Sequence, residues 1–298
     1  MLKLDSVADG DIHTLADFAE LLCMLKPDRT LSLDDLDDHL VDECEKSRGE
    51  LPLGDAFAHL GWRESAFSAA YPFSVAPNQR SISAPDQLSP AQTVYAFVLL
   101  CANLPTVRSP VNPLTDAFER LAHVALRRMW PSSASVLTFG KNTTQYQGSK
   151  AQRLQSLAHN IGGRPSIDPA RFRPRDSGDG GIDLVAWLEL DPFEGENKPA
   201  GLAQCACSRS DWSGKQFEVS RGSLGKLICP TAPWLEMLFI PTCFRNNTGR
   251  WAVDAEVGEI VMIDRLRLLQ FIDAVVDLPI VGPPEVFERF LDARIEAD

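Results

Sequence analysis

The sequence predicts an α+β protein, with a helical N-terminal region followed by a core that combines helices and strands. Apolar residues recur at helical spacing through much of residues 12–104. Short apolar runs bounded by Gly and Pro, which are typical of buried strands, begin after Pro113. This change of pattern predicts two domains, a helical region over 1–110 and a core domain over 111–298.

The N-terminal region is predicted to be helical because its apolar side chains fall on single helix faces. Ile12, Leu15 and Leu22 share one face of the first helix. Pro27 ends that helix, because proline lacks the amide hydrogen that a helix interior needs. The predicted helices cover 12–26, 33–41, 53–60, 63–70 and 91–104, and a Pro- and Ser-rich connector covers 71–90.

The core domain is predicted to contain both helices and short strands. From residue 116 the order is helix, strand, inserted helix, strand, strand, helix, strand. The predicted helices cover 116–130, 149–161, 212–228, 264–275 and 284–296, and the predicted strands cover 135–139, 182–190, 201–208, 234–240 and 260–263.

Charge is distributed unevenly along the chain. The formal net charge of −12 disfavours broad, unaided binding of nucleic acid. Residues 1–60 hold 5 basic and 15 acidic residues, whereas residues 141–226 hold 12 basic and 10 acidic ones. We therefore expect any phosphate contact in the second segment, and we expect the acidic N-terminal region to dock a protein partner or to regulate access.

Cysteine usage and hydropathy predict a cytoplasmic protein that does not enter a membrane. The seven cysteines are an odd number and mostly lie in apolar surroundings, which favours reduced thiols. The N-terminal residues lack an apolar secretion signal, and no run of about 18 apolar residues occurs.

The strongest candidate site is a predicted hairpin that carries two oxygen-bearing side chains. A glycine-rich turn, Gly178 to Gly181, leads to Asp183 near the start of one apolar strand, and Gln204 lies in the next strand. Hard divalent ions such as Mg²⁺ take oxygen ligands and keep several waters. The pattern therefore predicts an Mg²⁺ or Mn²⁺ site held by Asp183 and Gln204, with the Cys205 carbonyl as a further ligand and Asp179 as an alternative ligand.

The order of elements, together with Asp183 and the segment Gln204-Cys205-Ala206, resembles the PD-(D/E)XK, or restriction-endonuclease-like, nuclease superfamily. The resemblance covers about residues 114–245. It implies a mixed β-sheet flanked by helices, an α/β sandwich, and metal-dependent cleavage of nucleic acid. Asp183 matches the motif aspartate, although Ile182 rather than proline precedes it, and Gln204 matches the second metal-side position.

The sequence departs from that superfamily at the motif lysine, whose position holds Ala206. Similar nucleases sometimes supply this lysine from the following helix, which makes Lys215 the expected replacement. The resemblance also implies that Glu119, on the first core helix, assists a second metal ion or a water.

Nucleic acid, with DNA favoured over RNA, is the expected substrate. A basic loop leads into the hairpin, and its arginines are candidates for contacts with the phosphate backbone. They are Arg164, Arg171, Arg173 and Arg175. By analogy with nucleases of this kind, the chain is expected to act as an effector of a phage-defence or restriction system, and to pair with a second copy if it cuts two strands.

Three other functions remain open on the sequence alone. Ala206 favours a catalytically degenerate nuclease-like fold that serves as a binding or assembly subunit. A thiol hydrolase would use a cysteine such as Cys205 with His123 or His159 as the base, but no helix N-terminus would lower the thiol pKa. A zinc site at Cys205 and Cys207 would need two more ligands, for which no neighbouring residue is evident.

Overall fold

The computed structural model of the chain describes residues 10–44, 51–104, 111–140, 143–165, 180–208 and 212–294. In chain order its elements are α1 (Ile12–Leu25), β1 (Thr30–Ser32), α2 (Leu33–Cys44), α3 (Leu53–Phe67), β2 (Ser74–Val75), β3 (Ser81–Ser83), α4 (Pro90–Ala102), α5 (Val111–Met129), β4 (Ser135–Thr138), α6 (Lys150–Asn160), β5 (Leu184–Trp187), β6 (Ala200–Cys205), α7 (Trp212–Lys215), α8 (Arg221–Ile228), β7 (Leu235–Phe239), β8 (Val261–Ile263), α9 (Arg265–Leu269), α10 (Ala274–Val281) and α11 (Glu285–Asp292).

The chain divides into two compact units. Unit 1 comprises Met1–Phe118, Pro241–Asp254 and Asp264–Asp298, and unit 2 comprises Glu119–Ile240 and Ala255–Ile263. The helical region over 1–110 belongs to unit 1, whereas the sequence-predicted core domain over 111–298 is divided between the two units. Among the described residues, no helix has both the length and the apolar character needed to cross a bilayer.

Unit 2 is built on a mixed five-stranded sheet with the strand order β4-β5-β6-β7-β8. The first three strands form antiparallel pairs. The last two pairs, β6 with β7 and β7 with β8, are parallel. Because helices and a mixed sheet occur together, the predicted α+β fold class is confirmed.

Helices α6 and α8 cover part of this sheet and fix its position. Leu157 of α6 and Leu224 of α8 belong to the same buried cluster as Val185 of β5 and Leu202 of β6. Ser149 begins α6 through a reciprocal cap, in which its hydroxyl accepts from the Gln152 N–H and the Gln152 side chain accepts from the Ser149 N–H. This packing holds the β5–β6 hairpin, which carries Asp183 and Gln204 at its open end.

Four predicted helices are divided differently in the structure, and one of them, predicted over 264–275, is the short α9 followed by the separate α10. The single helix predicted over 212–228 is two helices, α7 and α8, because Ser220 caps a new helix by accepting a hydrogen bond from the Ser223 N–H. The two helices predicted over 53–60 and 63–70 are one helix, α3, which continues through Gly61 to Phe67 and is followed by a 3₁₀ turn over Ser68–Ala70. A glycine within a helix costs only about 1 kcal/mol relative to alanine, and the packing of the helix offsets this cost.

Unit 1 encloses a network of buried charges. The Arg63 guanidinium lies 2.7 Å from the Asp17 carboxylate and 3.0 Å from the Glu20 carboxylate. Arg265 contacts the same two acids at 3.0 and 3.5 Å, and the Tyr95 hydroxyl donates to Glu20. All four charged side chains are fully buried. Each charge therefore depends on the others for compensation, since water does not reach them.

We predict that Arg63→Met lowers the free energy of unfolding by about 3–5 kcal/mol, because it leaves buried carboxylates without one of their cations. The matched control is Arg80→Met, which removes the exposed Arg80–Asp34 ion pair and is expected to cost about 0–1 kcal/mol. Denaturant unfolding of both variants measures the difference. Equal effects would contradict a stabilising role for the buried network.

His59 adds a titratable group to the interior of unit 1. Burial, followed by the charge of Arg63, lowers the pKa of His59 from 6.5 to about 3. Its Nδ1 lies 2.7 Å from Asn247 Oδ1, so the neutral ring carries its proton there. The folded protein thus keeps His59 neutral at pH values where the unfolded chain protonates it.

We predict that the stability contributed by a neutral His59 is fully present above about pH 6.5 and is lost as the pH falls toward 3. In this window the unfolded chain binds one proton that the folded state does not bind. Relative to His59→Gln, the wild type should lose about 1.4 kcal/mol for each pH unit, and the two slopes should coincide above pH 7. Unfolding free energies measured from pH 4 to 8 test this, and parallel curves throughout would refute it.

Candidate metal centre

Asp183 and Gln204 lie at the open end of the β5–β6 hairpin. Leu184 pairs with Ala203 in the antiparallel register, so Asp183 and Gln204 occupy the next positions along the two strands. Residues that face one another across an antiparallel pair project from the same face of the sheet. Both side chains are buried, with 9% and 6% of their surface exposed. The structure therefore places opposite one another the two residues that the sequence predicts as metal ligands.

Asp183 joins three strands through its backbone and its carboxylate. Its carbonyl accepts hydrogen bonds from the Phe139 N–H at 2.6 Å and the Gly140 N–H at 3.2 Å. Its N–H donates to the Ala203 carbonyl at 2.9 Å. Its Oδ2 accepts from the Cys205 N–H at 2.7 Å. The carboxylate is thus held in one orientation, and Cys205 enters the site through its backbone.

Glycines allow other groups to approach this carboxylate and its turn closely. A Cβ at Gly140 would lie 3.0 Å from Asp183 Oδ1. Gly180 and Gly181 have φ angles of 76° and 82°, in the left-handed region that favours glycine. A Cβ at Gly181 would also lie 2.6 Å from the Cβ of Glu218. Two of the turn glycines that the sequence singled out are therefore required by the geometry.

The Gln204 side chain contains an unsatisfied acceptor. Its Oε1 is buried and has no hydrogen-bond partner among the described residues. An amide oxygen buried without a partner costs about 1–3 kcal/mol, so most buried polar groups in proteins are satisfied. Because Gln204 lies opposite the acidic residue Asp183 on the paired strand, a cation is a suitable partner for this oxygen.

The surroundings of the two thiols beside this site are negatively charged. Burial is the largest cause that raises the pKa of Cys205, followed by the charges of Asp183 and Glu119. Burial, Glu119 and Asp183 likewise raise the pKa of Cys207. The α5 residue Glu119 is therefore near enough to Asp183 for both to act on the same thiols. Protonated thiols at neutral pH argue against the thiol hydrolase, which needs a thiolate nucleophile.

Lys215 forms an ion pair at the end of α7. Its Nζ lies 2.7 Å from Glu218 Oε1, and both side chains are about one third exposed. Glu218 packs against Gly181, two residues before Asp183. The structure thus connects Lys215 to the glycine turn through Glu218.

Arg164 makes a bidentate ion pair with Glu196, with its Nε and Nη2 each 2.7 Å from a carboxylate oxygen. This pair compensates the charge that the sequence analysis assigned to phosphate binding. The other candidate arginines, Arg171, Arg173 and Arg175, lie outside the described residues, as does the alternative ligand Asp179.

Sequence reasoning missed two residues that shape this site. Glu218 lies three residues after Lys215, and opposite charges at this helical spacing predict an ion pair between the two side chains. Arg153 is buried beside the inward-facing leucines of α6, and its place next to Leu154 in the sequence is only weak evidence of that burial. Its guanidinium donates to the carbonyls of Phe139 and Gly140, so it braces the end of β4 that Asp183 contacts.

The residues present fit a hard, mostly hydrated divalent ion. Among the described residues, no group of three or more His, Cys, Asp or Glu side chains is placed to hold a metal. Mg²⁺ is usually held by one or two carboxylates and retains several waters, so it does not require such a group. Asp183, the unsatisfied oxygen of Gln204 and the nearby Glu119 meet this smaller requirement.

No protein-family model, no curated protein and no solved structure matches this chain.

Proposed function

We propose that this protein is a metal-dependent nuclease that hydrolyses phosphodiester bonds, with DNA as the favoured substrate. The observation that carries the proposal is the buried Gln204 oxygen without a partner, on the residue that lies opposite Asp183 in the register of β5 and β6. The order of helices and strands in unit 2 supports it, because the same order underlies the resemblance to the PD-(D/E)XK nucleases. The negative surroundings of Cys205 and Cys207 supply the potential that attracts a cation.

In this proposal, Asp183 and Gln204 hold one Mg²⁺ or Mn²⁺ ion, with the Cys205 carbonyl as a further ligand. The ion neutralises charge at the scissile phosphate when it is bound. The Cys205 N–H fixes the Asp183 carboxylate through Oδ2, and Oδ1 lies beside Gly140. Glu119 accepts a hydrogen bond from the attacking water or assists a second ion.

Lys215 has the proposed role of orienting the attacking water and stabilising charge on the phosphate. Its ion pair with Glu218 places its ammonium group next to the glycine turn. The pair is about one third exposed, so water screens it and the ammonium group can exchange Glu218 for a phosphate oxygen.

Contacts with nucleic acid are assigned to the basic loop, through Arg171, Arg173 and Arg175. The acidic segment over 1–60 is assigned to a protein partner or to regulation, because its 15 acidic and 5 basic residues repel phosphate.

A second candidate function is a nuclease-like subunit that binds without catalysis. Two observations favour it: Ala206 occupies the position of the motif lysine, and the Lys215 ammonium group is engaged by Glu218. The experiments below separate the two functions, because metal binding and catalysis are measured independently.

We predict that Mn²⁺ stabilises the wild type, by about 2.7 kcal/mol at 100 times its dissociation constant, and does not stabilise Asp183→Asn or Gln204→Met. Asp183→Asn retains an oxygen for the Cys205 N–H but loses the negative charge. Gln204→Met preserves volume and removes the unsatisfied oxygen, so it should leave metal-free stability unchanged or higher. Thermal unfolding with and without Mn²⁺, in the absence of nucleic acid, measures both effects.

The matched control is Gln216→Met. The Gln216 amide is buried and fully bonded, since it donates to the carbonyls of Ser213 and Glu256 and accepts from the Gly258 N–H. Its loss should cost about 1–3 kcal/mol and leave the response to Mn²⁺ intact. Equal stabilisation of the wild type and Gln204→Met by Mn²⁺ would show that Gln204 is not a ligand. A wild type that Mn²⁺ does not stabilise would contradict the proposed metal site.

We predict that Lys215→Met lowers the rate constant for cleavage of plasmid DNA by about 100-fold or more, while Glu218→Gln has much less effect. Both changes abolish the same ion pair, but only the first removes the ammonium group. Single-turnover cleavage with Mg²⁺ measures the rates. Equal small decreases in the cleavage rate constant of the two variants would show that Lys215 has no catalytic role. A wild type that binds metal but cleaves neither DNA nor RNA would favour the non-catalytic subunit.

A further inference from the structure

The connection between β5 and β6, residues 188–199, presents an aromatic side chain to solvent. Phe193 is 94% exposed and Leu190 is 63% exposed. Phe193 is the most exposed of the large apolar side chains that the structure describes. An exposed phenylalanine ring offers a large apolar area that can be buried against a partner.

The connection holds Phe193 in place through its own acidic residues. Asp191 accepts hydrogen bonds from the N–H groups of Phe193 and Glu194, both at 2.8 Å. Glu194 in turn accepts from the Glu196 N–H at 2.8 Å. At the base of the connection, Lys198 donates to Glu189 at 2.8 Å. The turn is therefore preorganised, so that ordering it on binding costs little entropy.

A cavity of about 890 Å³ opens beside the same connection. Its lining includes Arg164, Glu196, Arg221, Cys229, Pro230 and Thr231. The cavity is a wide, open depression rather than an enclosed pocket, so its lining is accessible to another protein chain. The connection that carries Phe193 also supplies Glu196 and Asn197 to the lining of the cavity, so the connection and the cavity adjoin on unit 2.

We propose that two copies of this chain associate through this surface, with Phe193 of each copy inserted into the cavity of the other. A two-fold symmetric contact requires one surface that carries both a projection and its complement, and this surface carries both. The contact then occurs twice in the dimer. The proposal uses none of the residues assigned to the metal centre, so it stands independently of the proposed nuclease.

Charge and ring chemistry favour this occupant. The projection carries Asp191 and Glu194, and the cavity carries Arg164 and Arg221. Glu196 bonds to the edge of the Arg164 guanidinium, and the Arg164 side chain is 73% exposed, so the planar face of the guanidinium is accessible. Guanidinium planes stack on aromatic rings. Arg221 is exposed, and in the proposed dimer its guanidinium forms an ion pair with the Glu194 carboxylate of the second copy.

Sedimentation velocity over a range of protein concentrations tests the proposal with the full-length chain. The wild type should dimerise reversibly, and Phe193→Ser should weaken association by about 30-fold or more, as expected for a central aromatic contact. Phe217→Ser is the matched control, because Phe217 is 64% exposed in unit 2 and does not line the cavity. It should change association less than about 2-fold, as expected for a residue outside the contact.

A charge exchange tests the pairing itself. Glu194→Arg and Arg221→Glu should each weaken association by about 10-fold, as for a close interfacial charge pair, and the double variant should restore it. A photoreactive phenylalanine at position 193 should cross-link to residues 221–231 of a second copy, identified by mixing isotope-labelled and unlabelled chains. A wild type that remains monomeric, a dimer unaffected by Phe193→Ser, or cross-links within one copy only would each overturn the proposal.

Discussion

The hydrogen bond between the Asp183 carboxylate and the Cys205 N–H is the constraint on which the candidate site depends. It continues the pairing of β5 and β6 beyond their last backbone partners, through a side chain. The Asp183 carbonyl meanwhile binds the end of β4. One residue therefore holds the ends of three strands together, and the position of Gln204 follows from that arrangement.

This double role affects how substitutions at Asp183 should be interpreted. Loss of the carboxylate would release the Cys205 N–H as well as any bound ion, so loss of activity alone does not distinguish structure from chemistry. Gln204 makes no such structural bond through its oxygen. It is therefore the residue at which the chemical and structural requirements of the site are separated most cleanly.

The fold class and many element positions could be predicted because they follow from local patterns. The 3.6-residue period predicted α1 within one residue at its C-terminal end, and short apolar runs predicted all five strands of the large sheet. Glu218 and Arg153 could not be predicted as parts of the site, because their roles depend on contacts with Gly181 and with the end of β4. The assignment of the C-terminal helices to unit 1 likewise depends on long-range contacts, among them the Asp17–Arg265 ion pair.

That ion pair has a consequence for the synthesis of the chain. Asp17 in α1 and Arg265 in α9 are 248 residues apart in sequence and bond in the buried network of unit 1. The residues of unit 2 up to Ile240 leave the ribosome before Arg265 does. The five-stranded sheet can therefore begin to form while Asp17 of α1 still lacks its ion pair with Arg265. Unit 1 cannot complete its buried network until Arg265 has been made, although its first residues are made first.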